Sequence, residues 1–111
     1  MARVVAFVPD LMFGSSVMAS VRAAGHEPVL VSALDSLPRG VEAVIVDLTY
    51  EADGRISQVA AVRPAGVKVL AFYSHVEADV RARALEAGFD VVVPRSRMAR
   101  EGGELVRRLL G

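Results

Sequence analysis

The sequence predicts an α/β fold, a five-stranded parallel sheet with helices on both faces, on three observations. Five short runs rich in Val, Ile and Phe punctuate the chain: residues 4–8, 29–31, 43–46, 67–72 and 91–93. These runs are continuous rather than alternating, which is how strands read when both of their faces are covered. Between them lie segments with helical spacing, so strand and helix alternate along the chain.

Each element has a local cause. The first run, Val4 to Val8, leads through Pro9 and Asp10 to a helix on which Phe13, Val17, Val21 and Ala24 share one face. Ser15 or Ser16 is the expected cap of that helix and Gly25 its stop. The stretch from Ser32 to Gly40, between the second and third strands, has room for about one and a half turns before Pro38 and predicts only a short helix. Ile56, Val59 and Ala60 form the next stripe, entered through Asp53-Gly54 and ended before Pro64. Val80, Ala84 and Leu85 form another, with Glu77 and Asp79 in its first turn and Gly88 beyond its end. Leu105, Val106, Leu109 and Leu110 make the last, weakened at its start by Gly102-Gly103. Right-handed crossovers then give a flavodoxin-like, doubly wound sheet of strand order 2-1-3-4-5 with a short second helix, in a single domain spanning residues 1–111.

Composition narrows the function. The chain has 111 residues, 53% of them hydrophobic, with 13 basic and 13 acidic side chains and no cysteine. Zero net charge argues against a general nucleic-acid binder or a ligand for anionic membranes. Without cysteine there is no disulfide, thiol nucleophile or zinc–thiolate site. No apolar run approaches the ~20 residues that span a bilayer. Met1-Ala2-Arg3 enters a strand-like run with no cleavage site of a signal peptide, so a cytoplasmic protein is expected.

In a doubly wound sheet the working site lies outside the carboxyl ends of the strands, where the strand order reverses. The residues that the topology brings there are Asp10 after the first strand, Asp47, Thr49 and Tyr50 after the third, Tyr73, Ser74 and His75 after the fourth, and Arg95, Ser96 and Arg97 after the fifth. Two carboxylates can hold Mg²⁺, which completes its shell with water and phosphate oxygens, and a carboxylate beside such an ion can attack phosphorus. The plainer reading is that each Asp closes a turn and Arg95 forms an ordinary ion pair.

At this point the chain resembles the receiver domains of two-component response regulators over nearly its whole length. The resemblance rests on Val4-Val5-Ala6-Phe7-Val8-Pro9-Asp10, on Ala43-Val44-Ile45-Val46-Asp47-Leu48, and on Ala84-Leu85-Glu86-Ala87-Gly88-Phe89-Asp90 continuing through Val93-Pro94-Arg95. It implies Asp47 as the phosphoacceptor, Asp10 and Asp47 with the Thr49 carbonyl as Mg²⁺ ligands, Ser74 or Tyr73 as the hydroxyl facing the phosphoryl oxygens, and Arg95 as the neutralising cation. It also implies a kinase or downstream effector as partner.

The departures matter as much as the matches. Pro9 stands where the family has the second carboxylate of an acidic pair, so Mg²⁺ binding should be weak. Arg95 stands in for a lysine, although its planar fork prefers bidentate contact with a carboxylate. Val92 replaces the usual aromatic. The expectation is a degenerate receiver in which Arg95 pairs with Asp47 and fills the metal and phosphoryl positions.

Other candidates have competing plain readings. Gly14-Ser15-Ser16 opens near the sheet edge but lacks any phosphate-loop pattern, and helix capping explains both serines. Ser74, His75 and Asp47 suggest a triad, yet no nucleophile elbow is present. His26 and His75 lack a second ligand at metal spacing. Leu11-Met12-Phe13 is an unusually apolar segment, and its expected role is docking a partner or a second copy of the chain. The last helix carries Arg95, Arg97, Arg100, Arg107 and Arg108 against Glu101 and Glu104, either a solvated face or a surface for an acidic partner. The reading is a stand-alone signalling or interaction module rather than an enzyme with turnover. The alternative is a small-ligand-binding or hydrolytic protein that uses the same edge, which a deep pocket there would favour.

Overall fold

The computed structural model describes residues 1–111. Five strands, β1 (Arg3–Phe7), β2 (Glu27–Val31), β3 (Val41–Asp47), β4 (Lys68–Tyr73) and β5 (Val91–Pro94), alternate with four helices. The helices are α1 (Leu11–Ala23), α2 (Ala52–Val62), α3 (Ala78–Glu86) and α4 (Arg95–Leu110). All strand pairs are parallel and the order is β2-β1-β3-β4-β5. No helix is long and apolar enough to cross a membrane.

Alternation along each strand divides the core between two faces. Val4, Ala6, Ala43, Ile45, Leu70 and Phe72 pack with Val17 and Val21 of α1 and Met98, Leu105 and Val106 of α4. Val5, Phe7, Val44, Val46, Val69 and Ala71 pack with Ile56 and Val59 of α2 and Val80 and Ala84 of α3. Near-continuous Val and Ile in the strands therefore reflects burial on both sides.

The expected short helix between β2 and β3 is absent. The segment makes bends and a turn instead, and Leu34 drops into the α2/α3 face at 3% exposure. Pro38 and the positive φ of Gly40 (76°) bring the chain directly into β3, leaving no length for a stable turn of helix.

Helix α1 starts earlier than its serines suggest. Asp10 is the cap, its carboxylate accepting from the Phe13 amide at 3.0 Å, while Ser15 and Ser16 lie exposed inside the helix. Starting there places Gly14 tightly against the sheet: a Cβ on it would lie 3.1 Å from Leu30 Cδ1 and 3.2 Å from the Val8 carbonyl.

Helix α4 likewise begins at Arg95, directly after β5, and carries Gly102-Gly103 within its length. The helix is irregular at Glu101 (φ −122°), and Gly102 is buried against α1, where a Cβ would sit 2.9 Å from Ser20 Cβ. The glycine pair that weakens helix propensity thus allows two helices on one face to approach closely.

Candidate functional site

Asp47 is the last residue of β3, in register with Phe72 of β4, and it is 6% exposed. Its Oδ1 accepts from the Thr49 amide at 2.8 Å and from the Thr49 hydroxyl. The cation beside it is Arg55. The Arg55 Nη1 donates to the Asp47 backbone carbonyl at 2.8 Å and lies 3.9 Å from Asp47 Oδ2. The guanidinium also lies 5.6 Å from the Phe7 ring centroid and 5.9 Å from that of Tyr50.

Arg55 is therefore the residue that the sequence reading missed. It is 8% exposed, and it sits on the inward stripe of α2 with Ile56 and Val59. An arginine on an apolar stripe one turn into a helix that follows a strand-terminal aspartate is the signal that could have identified it, because a buried guanidinium requires an acceptor. The chain reaches this arrangement through Glu51, the only non-glycine residue with positive φ (51°), which turns the backbone from β3 into α2.

The expected pairing of Arg95 with Asp47 is not formed. Arg95 lies over Phe13, its Cζ 4.4 Å from the ring centroid, and its Nη2 is 3.9 Å from Asp10 Oδ2. The reason is positional. Arg95 opens α4, which packs beside α1 on one face of the sheet, so its nearest acid is the cap of α1. Asp10 is half-exposed, and its other oxygen caps the helix.

Ser74 is half-buried at the sheet edge, whereas Tyr73, the last residue of β4, is 7% exposed and packs within the α2/α3 core. No hydrogen bond links Ser74, His75 and Asp47, so the triad is not assembled. His26 accepts from the Ala2 amide through Nδ1 at 2.9 Å and ties β1 to β2.

Thr49, Ser74 and Arg95 do meet, on the wall of one cavity of about 660 Å³ that His75, Ser96, Phe13 and Ala99 complete. It lies between the start of α1, the β3–α2 and β4–α3 connections and the first turns of α4. Around this edge Leu11 (76% exposed), Met12 (87%) and Val76 (77%) stand in solvent, whereas the Phe13 ring packs on Phe72 at 4.9 Å between centroids.

The donors do not suit a tightly held Mg²⁺. Asp10 and Asp47 are the carboxylates at this edge, each already holds protein donors, and no cluster of three acidic or histidine side chains gathers anywhere in the chain. Hard-cation affinity follows the number of charged oxygen ligands, and Pro9 supplies none.

No protein-family model matches the sequence, and no curated protein matches it. Solved structures do. A response regulator receiver protein from Burkholderia phymatum superposes with a TM-score of 0.82 at 20% identity, over 100% of this chain and 96% of that one. A response regulator from Thermotoga maritima gives 0.79 at 13%, over 99% and 98%. An orphan response regulator of H. pylori, HP1043, gives 0.79 at 16%, over 99% and 97%. The chain has the fold of response-regulator receiver domains.

Proposed function

We propose that residues 1–111 act as one receiver-like signalling domain of degenerate type, an interaction module without turnover, in which Asp47 is held by the protein's own groups instead of by Mg²⁺ and a phosphoryl group. The observation that carries this reading is the Asp47 carboxylate: two bonds from Thr49 and the guanidinium of Arg55 surround it within a 6%-exposed position. A nucleophilic carboxylate needs a free oxygen and an electrophile drawn in by a cation. Here Oδ1 accepts both Thr49 bonds, and Oδ2, which accepts no hydrogen bond, faces the Arg55 guanidinium at 3.9 Å, a cation fixed to the backbone carbonyl of Asp47 itself.

Of the expected phosphoryl contacts, Ser74 and Arg95 belong to the neighbouring cavity, and Arg95 attends Asp10. Pro9 in place of an acid removes a metal ligand, and Arg55 supplies internally a positive charge that a bound metal would otherwise bring. The domain then holds one conformation irrespective of a kinase, and its output passes through a protein partner. The exposed Leu11 and Met12 beside Asp10 are the surface that such a partner covers. The description of one structural relative as an orphan response regulator accords with this reading.

The test is incubation with a small phosphodonor and Mg²⁺, followed by intact mass measurement on wild type and Asp47→Asn. No added phosphate, and a melting temperature indifferent to Mg²⁺, are expected. A gain of one phosphate in wild type that Asp47→Asn abolishes would overturn the reading and establish Asp47 as a working phosphoacceptor.

A further inference from the structure

We infer that the groove at the opposite end of the sheet, where β3 and β4 begin and α4 ends, is a binding site for a free aliphatic α-amino acid. Its ammonium would meet Glu42, its carboxylate Lys68 and its side chain the apolar part of the lining. Along β3, at about 3.3 Å per residue, Val41 and Asp47 stand at opposite ends of the strand. The site is therefore remote from Asp47, and the inference does not rest on the module reading.

An irregularity in the sheet builds the anionic side. β1 and β3 slip register between Arg3, which faces Val41, and Val4, which faces Ala43, so Glu42 is the extra residue of a bulge. On a regular strand Val41 and Ala43 would share one face. Instead Val41 packs with the α2/α3 core and Ala43 with the α1/α4 core. Bulges re-aim single side chains in this way and are rare between parallel strands, and this one sets Glu42 on the wall of the groove.

Lys68 supplies the cation. It is the only lysine among the 13 basic residues, and it opens β4 in register with Ala43, the neighbour of Glu42. Glu42 and Lys68 are both exposed, yet neither forms an ion pair with the other or with any other side chain. A carboxylate and an ammonium both remain open to a ligand. A zwitterion satisfies the two heads together, which a simple anion or cation cannot.

The remaining lining determines the body of the ligand. Val67 and Leu109 are buried, and Val41 and Leu110 are half-buried beside them. The volume, about 350 Å³, lies at the small end of ligand sites and suits an aliphatic side chain such as that of leucine. The turn on one side is fixed before any ligand arrives. Gly66 takes a φ of 88°, and Arg63 donates through Nε to the Val67 carbonyl at 2.8 Å and through Nη2 to Asp90 at 2.8 Å. Asp90 in turn accepts from the Val69 amide at 2.8 Å, which holds the start of β4. A preformed wall lowers the ordering cost of binding.

Two-dimensional ¹H–¹⁵N NMR titration of the full chain with L-leucine tests the proposal. Isocaproate (no ammonium), isoamylamine (no carboxylate) and glycine (no apolar side chain) are the matched probes. Saturable shifts of the Glu42, Val67, Lys68 and Leu110 amides are expected with L-leucine, with a dissociation constant of about 1 mM or tighter. Each matched probe should bind at least about tenfold more weakly, as should L-leucine to Glu42→Gln and to Lys68→Gln. Both substitutions lie at exposed positions and should leave the melting temperature near that of wild type. Arg95→Gln, at the opposite edge, should bind L-leucine as wild type does. Absence of saturable shifts with L-leucine, equal affinity for isocaproate or isoamylamine, or full affinity in the two charge variants would each overturn the proposal. So would shifts that follow protein concentration without ligand, which would give the groove to a second copy. Phosphorylation of Asp47 by a small phosphodonor overturns the module reading alone, so the two failures are told apart.

Discussion

Replacing Arg55 with methionine keeps most of the aliphatic stem within α2 and removes only the guanidinium. Three interactions disappear with it: the 2.8 Å bond to the Asp47 carbonyl, the 3.9 Å approach to Asp47 Oδ2, and the placement near Phe7 and Tyr50. A hydrogen bond to a charged group contributes about 1.5–3 kcal/mol net. The ion pair has a gross attraction of about 4 kcal/mol at an effective dielectric of 20, most of it offset by desolvation of the guanidinium. Asp47 keeps both Thr49 bonds, which limits the penalty of leaving its charge buried. The expected loss is about 3 kcal/mol. For a chain of this length that lowers the melting temperature by roughly 12 °C, at about 4 °C per kcal/mol.

Urea denaturation of wild type, Arg55→Met, Asp47→Asn and the double variant provides the assay. The double-variant cycle should return a coupling of at least about 1 kcal/mol, because Asn retains an acceptor for Thr49 and no longer needs a cation. A loss below about 1 kcal/mol for Arg55→Met, or no coupling in the cycle, would refute the idea that Arg55 compensates Asp47.

Three further outcomes follow from other positions. Gly102→Ala improves helix propensity by about 1 kcal/mol but forces Ser20 aside, so stability should fall by about 1–2 kcal/mol net and recover in the Ser20→Gly, Gly102→Ala pair, read by urea denaturation. Glu51→Gly should gain about 0.5 kcal/mol by relieving the positive φ, partly offset by a more flexible unfolded chain, and Glu51→Val should lose stability in the same measurement. Arg83, which bonds Asp79 at 2.7 Å and Asp53 at 2.6 Å, holds the Asp79 carboxyl below the ordinary carboxylate range and is itself raised, chiefly by Asp79. Because the folded value lies below the unfolded one, Asp79's contribution is complete above the unfolded value of about 4 and is lost as pH falls through the folded value. NMR titration should show the Asp79 midpoint rising in Arg83→Gln, and an unmoved midpoint would contradict that assignment.

The sheet was legible because burial on both faces leaves a one-dimensional trace. A run such as Ala43-Val44-Ile45-Val46 reads as a strand covered twice, and the Phe13-Val17-Val21 spacing reads as one face of a helix. The edge of the sheet was legible for a related reason: topology alone brings the ends of β1, β3, β4 and β5 together. Local competition was harder to read. Asp10 rather than Ser15 or Ser16 caps α1, and Leu34 enters the core in place of a short helix, because each outcome depends on what a neighbouring element can accept.

What the order of residues determined by itself, then, is the architecture and the set of side chains at its rim, since periodicity and connectivity are properties of the chain. Which arginine meets which aspartate was decided only in three dimensions. Arg55 and Arg95 both lie near the edge, but α2 descends on the end of β3 whereas α4 lies beside α1, so Arg55 attends Asp47 and Arg95 attends Asp10. Charge pairing depends on the position and direction of helix packing, and that information is carried by the packed core rather than by spacing along the chain.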